Sequence, residues 1–251
     1  MGVVFTCSID DGHPSDMRAA DLLSKHSLNG TFYVPINNQE GHDVMSDAQI
    51  RELSRRFEIG SHTHDHCFLN GVDIAEARYQ IVEGKKRLED LLGWKVQGFC
   101  YPRGQYRKPV VDIVQACGFN YARTTVNLCF DAGNKPFEMP TTIQFYPHYR
   151  AVYVRNFARA GQWLRRHEGL RLAMREQDWI ARLYAMFDYA CEHQAVFHLW
   201  GHSRDIDELN AWGELDRFLA YVASGVPIQN RLNNEQLALR TYCNDKLLVD
   251  C

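Results

Sequence analysis

The sequence predicts an α/β fold built on a parallel sheet, and two observations predict it. Short apolar runs of strand length alternate with segments of helical spacing along most of the 251 residues. Four of those runs end in polar or glycine-rich clusters, the place where parallel α/β folds carry their ligands. The alternation by itself does not separate a barrel from an open sheet.

Residues 3–9 are an apolar run of strand length. Residues 16–26 place Met17, Ala20, Leu22 and Leu23 at helical spacing, with Ser15 as N-cap. TFYV after Gly30 is the second strand. Ser46 with Gln49 fits a capping box opening a short helix that ends near Phe57, and residues 58–61 are a very short strand. Residues 74–92 form the longest helical pattern, closed by Gly93. Residues 96–101 and 120–124 read as strands around a helix at 109–117. Residues 127–150, with Gly133, Pro136, Pro140 and Pro147, read as a long excursion over one face. Helices are expected at 153–166 and 177–193, a strand at 195–200, a helix at 211–223 and a last strand at 237–242.

Composition narrows the class. Apolar residues make up 45% and charged residues 24%, ordinary for a globular chain long enough for a substantial core. With no repeat, linker or low-complexity tract, one domain over residues 1–251 is expected. The formal net charge of −3 argues against nucleic acid or an anionic membrane as partner. The eight cysteines form no CxxC pair and no zinc-ribbon spacing, which suggests reduced and mostly buried thiols. The N-terminus has no signal-peptide pattern and no segment has spanning length, so a cytoplasmic protein without membrane insertion is expected. Gly2 with Thr6 fits a myristoylation pattern, but Val3, Val4 and Phe5 read as the start of a buried strand.

The four strand ends carry the chemistry. The first holds Asp10, Asp11 and His13; the third, SHTHDH, holds His62, His64 and His66; the fourth holds Arg103 and Tyr106; a late one, FHLWGHS, holds His198 and His202. Asp10 and Asp11 read either as a solvated turn or as a pair dividing labour, one binding a metal and one taking a proton. His62 and His66 are four apart and face the same way on one helical turn, where both reach one cation; the plain alternative is an exposed polar loop. Two histidines and one aspartate leave coordination positions open, as a catalytic zinc site requires. His202 follows a glycine at a strand end and suits solvent-facing chemistry, whereas His198 lies between Phe197 and Leu199 and suits a buried supporting place.

Together these residues resemble the polysaccharide deacetylase family, the NodB-homology or carbohydrate esterase family 4 group. SIDDG resembles its first motif, T-F-D-D-G; HTHDH its second, H-[ST]-x-x-H; FCYPRGQY its third, R-P-P-Y-G; and FHLWGH its last. The resemblance runs in the family's order from Val3 to about Ser203. It implies a distorted, seven-stranded, NodB-like (β/α) barrel. It implies Asp11, His62 and His66 as ligands of one divalent ion, Zn²⁺ first and Co²⁺, Mn²⁺ or Ni²⁺ as others. It implies Asp10 as general base, His202 as the acid (with His198 the other candidate), and an oxyanion and substrate site at the Arg103 backbone N–H and Tyr106. His64 would stand beside the ligands without binding.

The implied activity is removal of an N-acetyl group from an acetamido sugar, and a cytoplasmic chain would act on a precursor of surface polysaccharide or O-antigen. Hydrolysis of another C–N bond, as in allantoinase-like relatives of this fold, and carbohydrate binding without catalysis are the other readings. Two departures stand out. The third motif's arginine aligns with Cys100, with Arg103 in the family's tyrosine position, and residues 139–148 occupy the place of the fourth, tryptophan-bearing motif. Trp200 could supply an apolar wall instead, and Tyr146, His148, Tyr149 and Arg150 could join the pocket.

Overall fold

The structure, a computed structural model, describes residues 2–243. The chain runs β1 (Val4–Asp10), α1 (Asp16–Lys25), β2 (Thr31–Val34), α2 (Asp47–Ser54), β3 (Glu58–Ser61), α3 (Ile74–Leu92), β4 (Gly98–Cys100), α4 (Lys108–Ala116), β5 (Tyr121–Arg123) and β6 (Ile143–Gln144). It continues with α5 (Arg150–Ala160), α6 (Trp163–Arg175), α7 (Trp179–Glu192), β7 (Val196–His202), α8 (Ser203–Glu208), α9 (Trp212–Gly225), β8 (Arg231–Leu232) and α10 (Asn234–Ala238).

Seven parallel strands curl in the order β5-β4-β3-β2-β1-β7-β6, giving the distorted (β/α) barrel that the resemblance implies. The gap between β5 and β6 is bridged just before β6. There Met139 N–H donates to Ala122 O at 2.9 Å, and Thr124 N–H donates to Met139 O at 2.9 Å. β8 distorts the other side: β1 pairs β8 at Phe5 and Thr6, then β2 at Ser8 and Ile9. All seven residues of β1 are buried, as expected for a central parallel strand covered on both faces.

Alternation along β1 separates two environments. Phe5, Cys7 and Ile9 join the large core between sheet and helices. Thr6, Ser8 and Asp10 face the barrel interior, where Thr6 donates to Asn234 at 2.7 Å and Ser8 meets His198 Nε2 at 2.9 Å. The interior is thus lined by hydrogen-bonded polar groups, which offsets the cost of burying them.

Several sequence expectations need correction. Residues 237–242 are not a strand. Asn233 and Gln236 form a capping box that starts α10, whose buried Asn234 donates to Tyr33 Oη at 2.9 Å inside the barrel. The helix expected at 153–166 is two helices, broken where Gly161 and Gln162 take positive φ. The excursion at 127–150 contains β6, too short to show an alternation of its own. Ser15 occupies the N-cap but bonds Ser203 at 2.8 Å and His13 at 2.6 Å rather than the helix backbone. The Ser46 capping box is present as expected. Among the described residues all seven cysteines are unpaired, and no helix is long and apolar enough to cross a membrane.

Helix α3 holds the loop after β3 in place. His64 N–H donates to Gln80 O at 2.9 Å. The Gln80 side chain brackets Asp65, accepting its backbone N–H and donating to its carboxylate, both at 2.8 Å. The contact is close because the helix presents Gly84: a Cβ there would stand 2.6 Å from the Thr63 carbonyl carbon. Gly84→Ala gains roughly 1 kcal/mol of helix preference but must displace backbone, which costs about 1–3 kcal/mol. A lower melting temperature than wild type is expected on thermal unfolding, and an unchanged or raised value would contradict this close approach.

Candidate active site

Strand register assembles the site. β1 and β7 pair along seven residues so that Asp10 stands opposite His202, and β4 pairs β5 so that Cys100 stands opposite Arg123. Arg123 then reaches across the barrel interior and donates from Nη2 to Asp10 Oδ1; the two side chains are 0% and 4% exposed. The rings of Tyr33 and Trp200 each lie 5.1 Å from the guanidinium carbon. The Cys100 thiol, pushed well above its ordinary range by burial, lies 3.8 Å from Asp10 Oδ2.

Asp11 comes next in the chain but faces elsewhere, because its φ of 77° is left-handed. Its Oδ1 is buried without a hydrogen-bond donor, 3.4 Å from His62 Nε2 and 3.2 Å from His66 Nε2. Two donors each about 2.1 Å from a tetrahedral ion lie about 3.4 Å apart, so the three atoms fit one divalent ion. His62 Nδ1 meets Cys100 O at 2.9 Å, which leaves Nε2 with its lone pair toward the other two donors. Burial alone would raise the Asp11 carboxyl; with protons on the facing His62 and His66 nitrogens, and the charge of His202, it is held well below the usual range, and a bound ion would take the place of those protons. These residues form a possible metal site. A second cluster, Asp10, His62 and Cys100, is less suited, since burial pushes its thiol well up and its carboxylate is taken by Arg123.

The SHTHDH stretch is not a helical turn. Thr63 and His66 take left-handed φ of 70° and 54° in an irregular loop, and this folding, rather than helical spacing, brings the His62 and His66 rings to 5.0 Å. His64 turns away to Asp65 at 2.7 Å and does not line the cavity.

His202 lines the same cavity with 24% of its side chain exposed, and its Nδ1 meets Asp205 Oδ2 at 2.7 Å. Burial works against its proton, but Asp205, Asp11 and Asp10 outweigh that and push it up to about 9. His198 lies below, outside the cavity lining and fully buried, and burial aided by the Arg123 charge keeps it neutral. His148 reaches Gln144 at 2.7 Å and is pushed down to about 4 by burial, with Arg182 and Arg155 adding to the effect. The Tyr146 ring packs at a tilt against His148, while Tyr149 is 84% exposed and Arg150 is occupied with Met174 O.

Arg103 and Tyr106 both line the cavity, but their side chains are engaged: Arg103 with Glu40 at 2.6 Å, and the Tyr106 hydroxyl with Glu138 at 3.2 Å. Trp200 is both buried and part of the cavity wall. The residues that sequence reading missed are Arg123, Asp205 and Glu40. A charge ending a short apolar strand signalled Arg123, and an acid three residues after His202 signalled Asp205; nothing local marks Glu40.

Known proteins share both the sequence pattern and the fold. The family model described as polysaccharide deacetylase matches residues 3–122. Over those residues, just under half of the chain, it is similar to the polysaccharide deacetylases. A Bacillus subtilis protein named "Putative polysaccharide deacetylase YxkH" is 25% identical over 121 residues, 47% of this chain and 43% of that one. The Bacillus subtilis protein YlxY, uncharacterized by name, is 26% identical over 113 residues, 44% and 34% of the two chains. The matches therefore span less than half of either curated relative. In fold, a solved Mycobacterium smegmatis structure described in the same words as YxkH superposes with a TM-score of 0.67 at 17% identity, covering 98% of this chain and 92% of that one. A family 4 carbohydrate esterase from Streptomyces lividans, in complex with acetate, gives 0.52 at 13% identity, covering 88% and 90%. At these identities the likeness is one of fold.

The buried pair generates a stability prediction. Arg123→Met leaves Asp10 without its cation and should lower the unfolding free energy by about 3–5 kcal/mol. Adding Asp10→Asn removes the stranded charge and should restore most of that loss. Urea unfolding of the single and double variants measures both, and equal destabilisation would show that the pair is not what Arg123 contributes.

Proposed function

We propose that this chain is a metal-dependent carbohydrate N-deacetylase, one catalytic domain that hydrolyses the acetamide of an acetamido sugar. The observation that carries the reading is the buried, donor-less Oδ1 of Asp11 with two imidazole Nε2 atoms at 3.2 and 3.4 Å, beside a second carboxylate and a carboxylate-paired histidine. Asp11, His62 and His66 would hold one divalent ion, zinc by donor type. Such an ion supplies Lewis acidity, polarising an acyl oxygen and making water a nucleophile near neutral pH.

The protein's own groups do the rest. Asp10 accepts the proton of the attacking water. Arg123 fixes that carboxylate in direction, the place that the family pattern gives to an arginine at the position of Cys100. His202, protonated at neutral pH and held at Nδ1 by Asp205, delivers a proton to the departing nitrogen. The oxyanion is assigned to the Arg103 backbone N–H, with Tyr106 on the same cavity wall. His198 supports β1 through Ser8 rather than serving as the acid. The substrate is read as a sugar precursor of surface polysaccharide, such as O-antigen, acted on before assembly in the cytoplasm; unpaired cysteines accord with that reducing compartment.

Elemental analysis of purified protein should find about one divalent ion per chain in wild type and none in His62→Ala. Asp10→Asn should keep the ion and lose roughly 10²–10⁴-fold in acetate release from acetamido sugars. Ion-loaded wild type that releases acetate from no acetamido sugar would overturn the proposal.

The proton on His202 gives a pH test. Activity requires its protonated form, so kcat/KM should fall as pH rises through its pKa, which lies at about 9 before the charge of a bound ion lowers it. Asp205 stabilises that proton. Asp205→Asn should therefore move the alkaline limb to lower pH, and a limb that stays in place would remove Asp205 from this role.

A further inference from the structure

The cavity that holds the Asp and His cluster encloses about 640 Å³, several times the volume of one acetamidohexose. Its far wall is formed by α5 and the start of α6, and the charges there are unlike those at the proposed metal site. Arg155 and Arg159 are one helical turn apart on the cavity side of α5, both exposed, and among the described residues neither has a hydrogen bond or ion pair. Behind them Arg166 is fully buried. Its donors go only to carbonyl oxygens: Asn127 O at 2.7 Å, Gly161 O at 2.9 Å, Asn127 Oδ1 at 3.1 Å, and Phe157 O and Asn156 O at 3.2 Å. Buried charges are ordinarily paired, and this one has no carboxylate.

The acids of the cavity are spoken for. Asp10 faces Arg123, Asp11 faces His62 and His66, and Glu40 faces Arg103. The α5 wall is therefore a concave surface that presents two exposed guanidinium groups, Arg155 and Arg159, with no acidic partner among the described residues, backed by the buried charge of Arg166, and such a cleft concentrates anions. It opens onto the same space as His202, and the charge of Arg155 is felt at His148, which bonds Gln144 next to that histidine. A neutral glycan has no use for this arrangement. A carboxylate is satisfied by one guanidinium side-on, whereas phosphate offers oxygens to several at once.

We infer that the α5 wall binds a phosphate carried by the acetamido sugar, so that the substrate is a glycosyl phosphate or diphosphate rather than a neutral polymer. This rests on the deacetylase reading for the sugar's place in the cavity. The phosphate's source is a nucleotide or a lipid carrier.

Calorimetric titration of the ion-loaded protein with N-acetylglucosamine, its 1-phosphate, its uridine diphosphate conjugate and its farnesyl diphosphate conjugate tests this. The charged probes should bind at least about tenfold more tightly than the neutral sugar, and the advantage should shrink as sodium chloride is raised. The double variant Arg155→Gln/Arg159→Gln should lose the advantage while keeping the ion and the affinity for the neutral sugar. Tighter binding of the nucleotide conjugate assigns a nucleotide carrier and tighter binding of the farnesyl conjugate a lipid one, both in accord with the proposal. Equal binding of charged and neutral probes, or an undiminished preference in the double variant, overturns it, the latter by placing the phosphate on the ion. Acetate release is read in parallel. Charge preference without acetate from any probe sinks the deacetylase reading and leaves the phosphate subsite standing; acetate from neutral chitooligosaccharides without charge preference does the reverse.

Discussion

The ion pair between Asp10 and Arg123 is the constraint on which the rest of the site depends. The two residues end strands that are not neighbours, β1 and β5, and the pair crosses the barrel interior between them. Both charges have left water almost completely. Taking two ions into such surroundings costs several kcal/mol each unless they meet each other in good geometry. Here they do, and the faces of Tyr33 and Trp200 cover the guanidinium whose Nε and Nη1 lack acceptors. The consequence is directional. Asp10 is held toward Arg123, so its neighbour Asp11 is the carboxylate left for the histidines. Two adjacent residues of one type acquire different electrostatic settings through a single arginine and one left-handed backbone angle.

Backbone strain gathers where this division is made. Asp11, Thr63, His66 and Arg103 all take positive φ in the turns and loops around the same cavity. A non-glycine residue in this region costs of order 1 kcal/mol. The loop is held there by α3, through Gln80 and the close approach at Gly84, and Asp11 is held by the sheet on one side and the histidines on the other. Rigid elements thus fix side chains that the local sequence alone would leave mobile, which is what proton transfer at fixed distances requires.

Much of this was legible in the sequence, and the misses have physical causes. The parallel sheet followed from alternation, and α3 from its long periodic stretch closed by Gly93. Asp10, Asp11, His62, His66 and His202 stood out because ionisable clusters at several strand ends are rarely accidental, and register together with the left-handed turns at Asp11, Thr63 and His66 brings these five to one cavity. The helical turn assigned to SHTHDH was wrong because a periodicity of four does not distinguish a helix from a loop with two left-handed residues. Residues 237–242 looked like a strand on apolar content alone, while the capping box at Asn233 was the stronger signal. Arg123 ends a short apolar strand, but its pairing was not legible for a different reason. Its partner lies 113 positions away, and only the curvature of the sheet brings the two together. The α5 arginines, likewise, are marked only by the cavity beside them.

In the proposed function Asp11, His62 and His66 hold the metal ion while Asp10 is kept for Arg123. X-ray absorption at the zinc edge of the zinc-loaded protein tests it most directly, because the competing cluster contains the sulfur of Cys100. The expected result is a first shell of nitrogen and oxygen only, at about 2.0–2.2 Å, with imidazole scattering from two histidines. A sulfur neighbour at about 2.3 Å would place the ion on Cys100 and contradict it.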